Sequence, residues 1–233
     1  MKFTKKKNKV IVDEGCVDQC EDETQEIHNQ EDLDAAKDML AAMMGGGQEE
    51  DLPSTFMLYG DVSEDRAADV VSALLLIGDK KRVEKAKKKL PEGEELEDIK
   101  FYISTYGGSA DDMMSIYDMM RITKQNRDVQ TIGMGKIMSA GTLILASGTR
   151  GKRKIMKNCR VMIHAVSAGS MGTIHNLQNE MEEIQNIQEM YIEALCTETL
   201  LTKRQLKKML DQKVNVYLTA EEAVEYGLAD EVI

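Results

Sequence analysis

From Phe56 to the end of the 233-residue chain, short apolar runs alternate with longer segments whose apolar residues recur at helical spacing. Such alternation predicts an α/β domain with largely parallel strands, because parallel neighbours need a crossover between them. Phe56–Tyr59, Ile99–Ser104, Val129–Met134, Lys154–Met156, Arg160–Ile163 and the last three residues read as strands. Helices are expected from a Ser63 cap through Ile77, over Ser109–Gln125, over a short and nearly all-apolar Ser139–Ala146, and over a long Thr173–Leu200. Thr202 caps Gln205–Gln212, and Thr219 with Glu222 makes a capping box for Ala220–Tyr226. Lys80–Glu97 holds seven basic residues and one acid in its first half, then turns acidic after Pro91. It reads as a solvated charged hairpin or loop.

Residues 1–52 differ in kind. They carry six Lys against fourteen Asp and Glu, and one short helical candidate, Leu33–Met44, ahead of Gly45-Gly46-Gly47. So little apolar surface cannot offset chain entropy, and the segment is expected to be a disordered acidic extension ahead of a domain spanning 53–233. The net charge of −11 argues against nucleic-acid binding, which rests on Lys and Arg neutralising phosphates. No run of eighteen apolar residues is present, so no membrane span is expected. The lysines at positions 2–9 are followed by only Val10-Ile11-Val12 before Asp13, which is no signal-peptide core. A cytoplasmic chain with its four Cys as thiols is the expectation. Cys16, Cys20 and His28 lack zinc-site spacing, and no phosphate-binding glycine loop occurs, so neither metal nor cofactor is expected.

Three places carry candidate chemistry. Ser139 follows a strand and opens a helix: it is either an N-cap or a nucleophile favoured by the helix dipole, with the Ala140 amide facing a developing oxyanion. His164 ends an apolar strand: it is either a satisfied core histidine or the base that takes the hydroxyl proton. Gly107-Gly108 is a tight turn, an unobstructed amide for a substrate carbonyl, or both.

The residues then carry a resemblance. Phe101-Tyr102-Ile103-Ser104-Thr105-Tyr106-Gly107-Gly108-Ser109, Ile116-Tyr117-Asp118-Met119-Met120, Gly135–Thr142, Gly151-Lys152-Arg153, Arg160–His164 and Ala220–Asp230 occur in the order found in the ClpP family. That family is the proteolytic subunit of the ATP-dependent Clp protease, and about Thr55 to the end resembles it. The resemblance implies a crotonase-type spiral of ββα units with a long helix between two stacked homo-oligomeric rings. It implies a tetradecameric serine endopeptidase cleaving unfolded protein or peptide substrates inside a chamber, with a Clp-type ATPase unfoldase as partner. Ser139 falls on the nucleophile, His164 on the general base, and the Gly108 and Ala140 amides on the oxyanion hole. The third triad position, usually Asp, aligns with Asn215; Asp211 is the alternative. Asn can orient the imidazole but brings no charge to stabilise the imidazolium. Tyr106 stands where Pro is usual, Ala165-Val166 where Gln-Pro is usual, and Lys136-Ile137-Met138 before the nucleophile where Gln-Ala-Ala is usual. Lys100 occupies an often aromatic place in the unfoldase-docking pocket. Alternatives of the same fold are a catalytically weak structural paralogue in a mixed ring and a viral head-maturation protease. An acyl-CoA enzyme of crotonase type is the fold-level alternative.

Overall fold

The computed structural model describes residues 52–211 and 215–233. The expected acidic extension, its Leu33–Met44 helix and the Cys16, Cys20, His28 group lie outside the described residues.

In chain order the elements are β1 (Thr55–Tyr59), α1 (Glu64–Gly78), α2 (Lys80–Lys89), β2 (Ile99–Thr105), α3 (Ala110–Thr123), β3 (Val129–Met138), α4 (Ala140–Ala146), β4 (Lys154–Ile155), β5 (Arg160–Ile163), α5 (Ile174–Glu198), α6 (Lys203–Asp211), β6 (Val216–Leu218), α7 (Ala220–Glu225) and β7 (Glu231–Val232). The architecture is a mixed α/β fold, as expected. Strands run in the order β1-β2-β3-β4-β7, every neighbouring pair parallel. β5 joins the other half of β3 in parallel, and β6 closes on β5 antiparallel.

The fork at β3 positions everything that follows. Its first half pairs with β4 through Ile132 and Gly133, and its second half with β5 through Lys136, Ile137 and Met138. Between the halves Gly135 has φ 63°, a left-handed conformation that glycine adopts without the steric cost of a Cβ. The pairing of β2 with β3 shifts register there, from Ile103↔Gly133 to Thr105↔Ile137. The strand therefore turns the corner at Gly135 instead of ending at Met134, as the apolar run alone suggests. That extension carries Met138, and hence Ser139, alongside the end of β5.

The core is aliphatic. Leu58, Ile99, Phe101, Ile103, Ile116 and Ile137 are among its fully buried side chains, and all seven residues of α4 are buried. A helix apolar on every side belongs in the interior.

Lys80–Lys89 is a helix and not a hairpin or loop. Asp79 caps it by accepting from the Arg82 N–H at 3.0 Å, Lys80 and Glu84 lie 4.0 Å apart one turn on, and Val83 is buried. The last turn places Lys87, Lys88 and Lys89 at the negative end of the helix dipole. Strand β6, only three residues long, was not anticipated. The Thr219–Glu222 capping box is present with both reciprocal bonds.

Arg153 ties four elements together. Its guanidinium donates to both carboxylate oxygens of Asp230, at 2.9 and 2.5 Å, and to the carbonyls of Ala146 and Glu198, at 3.1 and 2.7 Å. Those carbonyls are at the C-terminal ends of α4 and α5, where helical partners run out. Burial would push the Asp230 carboxyl up, but the Arg153 guanidinium, with the backbone N–H groups of Arg153 and Gly151, outweighs it and holds the carboxyl below its ordinary value. A depressed carboxylate stabilises the fold above its unfolded pKa of about 4, and that stabilisation is lost as pH falls through the folded value. Asp230→Asn, leaving a buried guanidinium without its counter-charge, is expected to cost about 3 kcal/mol at neutral pH. It should also flatten the acid limb of stability against pH below about pH 4. Thermal unfolding of both proteins from pH 3 to 7 checks both.

Candidate active site

Ser139 and His164 leave neighbouring parallel strands at the same level. Met138 pairs with Met162, and the Ser139 N–H donates to the Met162 carbonyl at 2.8 Å, which fixes the elbow against β5. Ser139 Oγ lies 2.8 Å from His164 Nε2. With the imidazole neutral and its proton on Nδ1, the serine hydroxyl donates to Nε2, the arrangement of a nucleophile with its base.

The backbone separates the two readings of Ser139. It stands at the N-cap position of α4, yet its side chain makes no capping hydrogen bond. Its φ of 53° and ψ of −121° make it the only non-glycine residue with positive φ among the described residues. Such a conformation costs about 1–3 kcal/mol and persists only where its surroundings hold it. A serine serving as a cap would sit in extended geometry with Oγ on an amide. Here the hydroxyl is turned away from the helix and onto the imidazole.

Gly107 and Gly108 meet the elbow from β2. Val62 bridges Gly108 in parallel: the Val62 N–H donates to the Gly107 carbonyl at 2.8 Å and the Ser109 N–H to the Val62 carbonyl at 2.9 Å. The Gly108 N–H lies between these bonds and takes no part in them. A Cβ on Gly107 would lie 2.5 Å from Ser139 Cβ and 3.1 Å from the Ala140 nitrogen. One on Gly108 would lie 2.1 Å from the Val62 carbonyl oxygen. Both glycines are therefore demanded by close backbone approach and by φ values of 97° and 152°. The Ala140 N–H, first in its helix, is without an intrahelical partner. The tight-turn reading of this glycine pair holds, and the Gly108 N–H stays outside the bridge with Val62.

Asn215 and Asp211 are both exposed. The Asn215 amide donates to the Tyr217 hydroxyl at 3.4 Å, and among the described residues no hydrogen bond joins either side chain to His164. The strand register next to them ends one pair short of Asn215 and His164. Ile163 pairs with Val216 and Met162 with Tyr217, so continuing the antiparallel ladder by one residue sets Asn215 opposite His164. Directly opposed residues project to the same face, with Cβ atoms about 5 Å apart. Asp211 ends α6 beside Lys207 and Lys208.

A cavity of about 310 Å³ opens beside the pair, with walls that include Met113, Ala165, Val166, Ile184, Ile187 and Tyr191. The wall is mostly apolar, and Gly108, Ser139, Ala140 and His164 line it too. Tyr191 and Thr142 were not singled out from sequence. Tyr191 reads as one more buried aromatic on an amphipathic helix and Thr142 as one more small residue of α4. Their hydroxyls meet at 2.6 Å beneath the Ser139 carbonyl. Among the described residues no group of three or more His, Cys, Asp or Glu is placed to hold a metal ion, and no helix is long and apolar enough to cross a membrane.

The Clp protease family model matches residues 53–233. This chain belongs to the Clp protease family. It is 36% identical over 172 residues to the ATP-dependent Clp protease proteolytic subunit 1 of Bifidobacterium longum, covering 73% of this chain and 66% of that protein. It is 38% identical over 136 residues to proteolytic subunit 2 of Corynebacterium jeikeium, covering 58% of this chain and 63% of that protein. Over the same length it is 36% identical to proteolytic subunit 2 of Thermobifida fusca, covering 65% of it. The matches thus span just under two thirds of these Clp relatives.

Proposed function

We propose that the protein is a serine endopeptidase of the Clp type, acting on unfolded polypeptides. The observation that carries this reading is the 2.8 Å contact of Ser139 Oγ with His164 Nε2, on an elbow whose hydroxyl does no capping. In this reading Oγ attacks the peptide carbonyl and its proton passes to His164 Nε2. The oxyanion accepts from the Gly108 and Ala140 amides. His164 then protonates the leaving amine as the C–N bond breaks, and water releases the acyl group by the reverse proton path. No cofactor enters. Substrate lies extended beside the backbone, one side chain in the apolar cavity. Asn215, opposite His164, orients the imidazole through its amide oxygen once turned from Tyr217; Asp211 is the less well placed alternative.

The assembly is part of the proposal. Ile174, Leu177 and Met181 are exposed along one side of the first half of α5, at helical spacing. Such a stripe on a helix suits a second copy of the chain, as in two stacked rings forming a tetradecamer in the cytoplasm. The names of the relatives support a Clp-type ATPase as unfolding partner. The test is hydrolysis of short and unfolded substrates by size-separated oligomer, with and without a Clp ATPase. Peptide cleavage in the ring fraction, extended to folded proteins only with the ATPase, is expected. An assembled oligomer inert towards short peptides would overturn the reading.

A second reading, a catalytically weak subunit of a mixed ring, draws on the Asn215 bond to Tyr217 in place of His164. It predicts that Asn215→Asp raises peptide hydrolysis by about 100-fold or more, whereas a full subunit would gain little.

A further inference from the structure

The strained elbow raises the question of what holds it. Two donors of Thr142 converge on the Ser139 carbonyl oxygen, its N–H at 2.9 Å and its hydroxyl at 2.7 Å, and the Tyr191 hydroxyl lies 3.4 Å from the same oxygen. With the Thr142 proton on the carbonyl, the Tyr191 hydroxyl gives its own proton to Thr142 Oγ1 at 2.6 Å. An ordinary helix start supplies only the first of these. Tyr191 lies on α5 and Thr142 on α4, so the carbonyl is held between two helices. Thr142 is fully buried and Tyr191 is 4% exposed, which leaves water little access to compete. Burial pushes the Tyr191 phenol up to about 12, so it keeps its proton at any working pH. Thr142 alone would satisfy a buried tyrosine. Passing that bond on through the Thr142 hydroxyl to this one carbonyl adds something else, because rotation about the Ser139 backbone turns the carbonyl and the side chain together.

We infer that Tyr191 and Thr142 are positioning residues: Tyr191 donates to the Thr142 hydroxyl, which donates to the Ser139 carbonyl, a clamp in series that keeps Oγ aimed at His164 Nε2. The inference rests on Ser139 being the nucleophile. Neither hydroxyl touches the reacting atoms; each acts through the elbow. Tyr191 also lines the apolar cavity with its ring, so deleting only its hydroxyl separates aim from substrate binding.

Tyr191→Phe, Thr142→Val, Thr142→Ser and the Tyr191→Phe/Thr142→Val pair are compared in assembled protein by steady-state peptide hydrolysis and by the rate of fluorophosphonate labelling. Misaiming a nucleophile by a fraction of an ångström is expected to lower kcat and labelling about 10- to 100-fold for the Phe and Val variants, with KM within about twofold. Thr142→Ser, which keeps the hydroxyl, should restore most of the rate. The double variant should be little slower than the slower single one, because the hydroxyls act as a unit. If Thr142→Val fails to assemble, Tyr191→Phe decides, since its ring still fills the space. Equal labelling of wild type and Tyr191→Phe overturns the clamp alone. Wild-type protein that is not labelled at Ser139 overturns the nucleophile and the clamp together.

Discussion

Replacing His164 by alanine is expected to lower kcat for peptide hydrolysis by about 10⁴- to 10⁶-fold, with the oligomer intact and KM little changed. The magnitude follows from the geometry. A serine hydroxyl attacks a carbonyl only as its proton leaves, and His164 Nε2 is the base within hydrogen-bonding reach of Oγ. Removing it leaves the proposed oxyanion amides and the cavity, which together should keep a residual rate about 10³- to 10⁴-fold above that in water. The fold should barely notice. His164 is half-buried at the end of β5, where the ladder with β6 has run to its last pair, Ile163 with Val216. Single-turnover kinetics with unchanged elution on size exclusion would establish both halves. A loss under about 100-fold would point to another base.

Gly108→Ala is expected to act through the backbone. The new Cβ would meet the Val62 carbonyl oxygen at 2.1 Å, and backbone cannot swing aside as a flexible side chain does. The φ of 152° adds strain for any residue with a Cβ. To admit the methyl, the bridge with Val62 must open, and the two hydrogen bonds at 2.8 and 2.9 Å weaken with it. Each is worth about 1 kcal/mol net. A destabilisation of about 2–4 kcal/mol is expected from bridge and strain together. The Gly108 N–H moves as well, so kcat should fall about 10²- to 10³-fold, as for loss of one oxyanion donor. Denaturant unfolding and peptide kinetics on the same preparation separate the effects. Gly60→Ala is the control: it has positive φ too, but its Cβ would meet nothing within 4 Å, so it should cost stability without touching kcat.

Much of this was legible in the sequence, for identifiable reasons. Ile99–Thr105 and the buried α4 announce themselves because a run of apolar residues has few places to go but the interior. The Thr219–Glu222 box is local chemistry and needs no tertiary contact. What was hidden depends on distant partners. Lys80–Lys89 looks like a solvated run because ten residues offer one fully buried side chain, Val83, to set the period. Strand β6 has three residues and exists only because β5 offers it an edge.

The site divides in the same way. Ser139 and His164 could be named from the motifs around them, but spacing does not bring them together; the turn of β3 at Gly135 does. What tells against the cap reading is the φ of Ser139 and its missing cap bond, which no residue type reveals. Asn215 was named by alignment; the register of β5 with β6, which ends one pair earlier at Ile163 and Val216, is what points it towards His164. Thr142 closes the Gly135–Thr142 motif, but nothing in the sequence gives it or Tyr191 a role, since hydroxyls that act on a backbone carbonyl look like ordinary core residues.

The central claim is that Ser139 Oγ is the nucleophile, and covalent capture tests it most directly. Assembled wild-type protein, Ser139→Ala and His164→Ala are incubated with a fluorophosphonate, and intact mass and peptide mapping locate the adduct. One phosphonyl group per wild-type chain, on Ser139, with none on Ser139→Ala and strongly slowed capture by His164→Ala, is the predicted result. An assembled wild type that takes no label, or one labelled equally after Ser139→Ala, would contradict it.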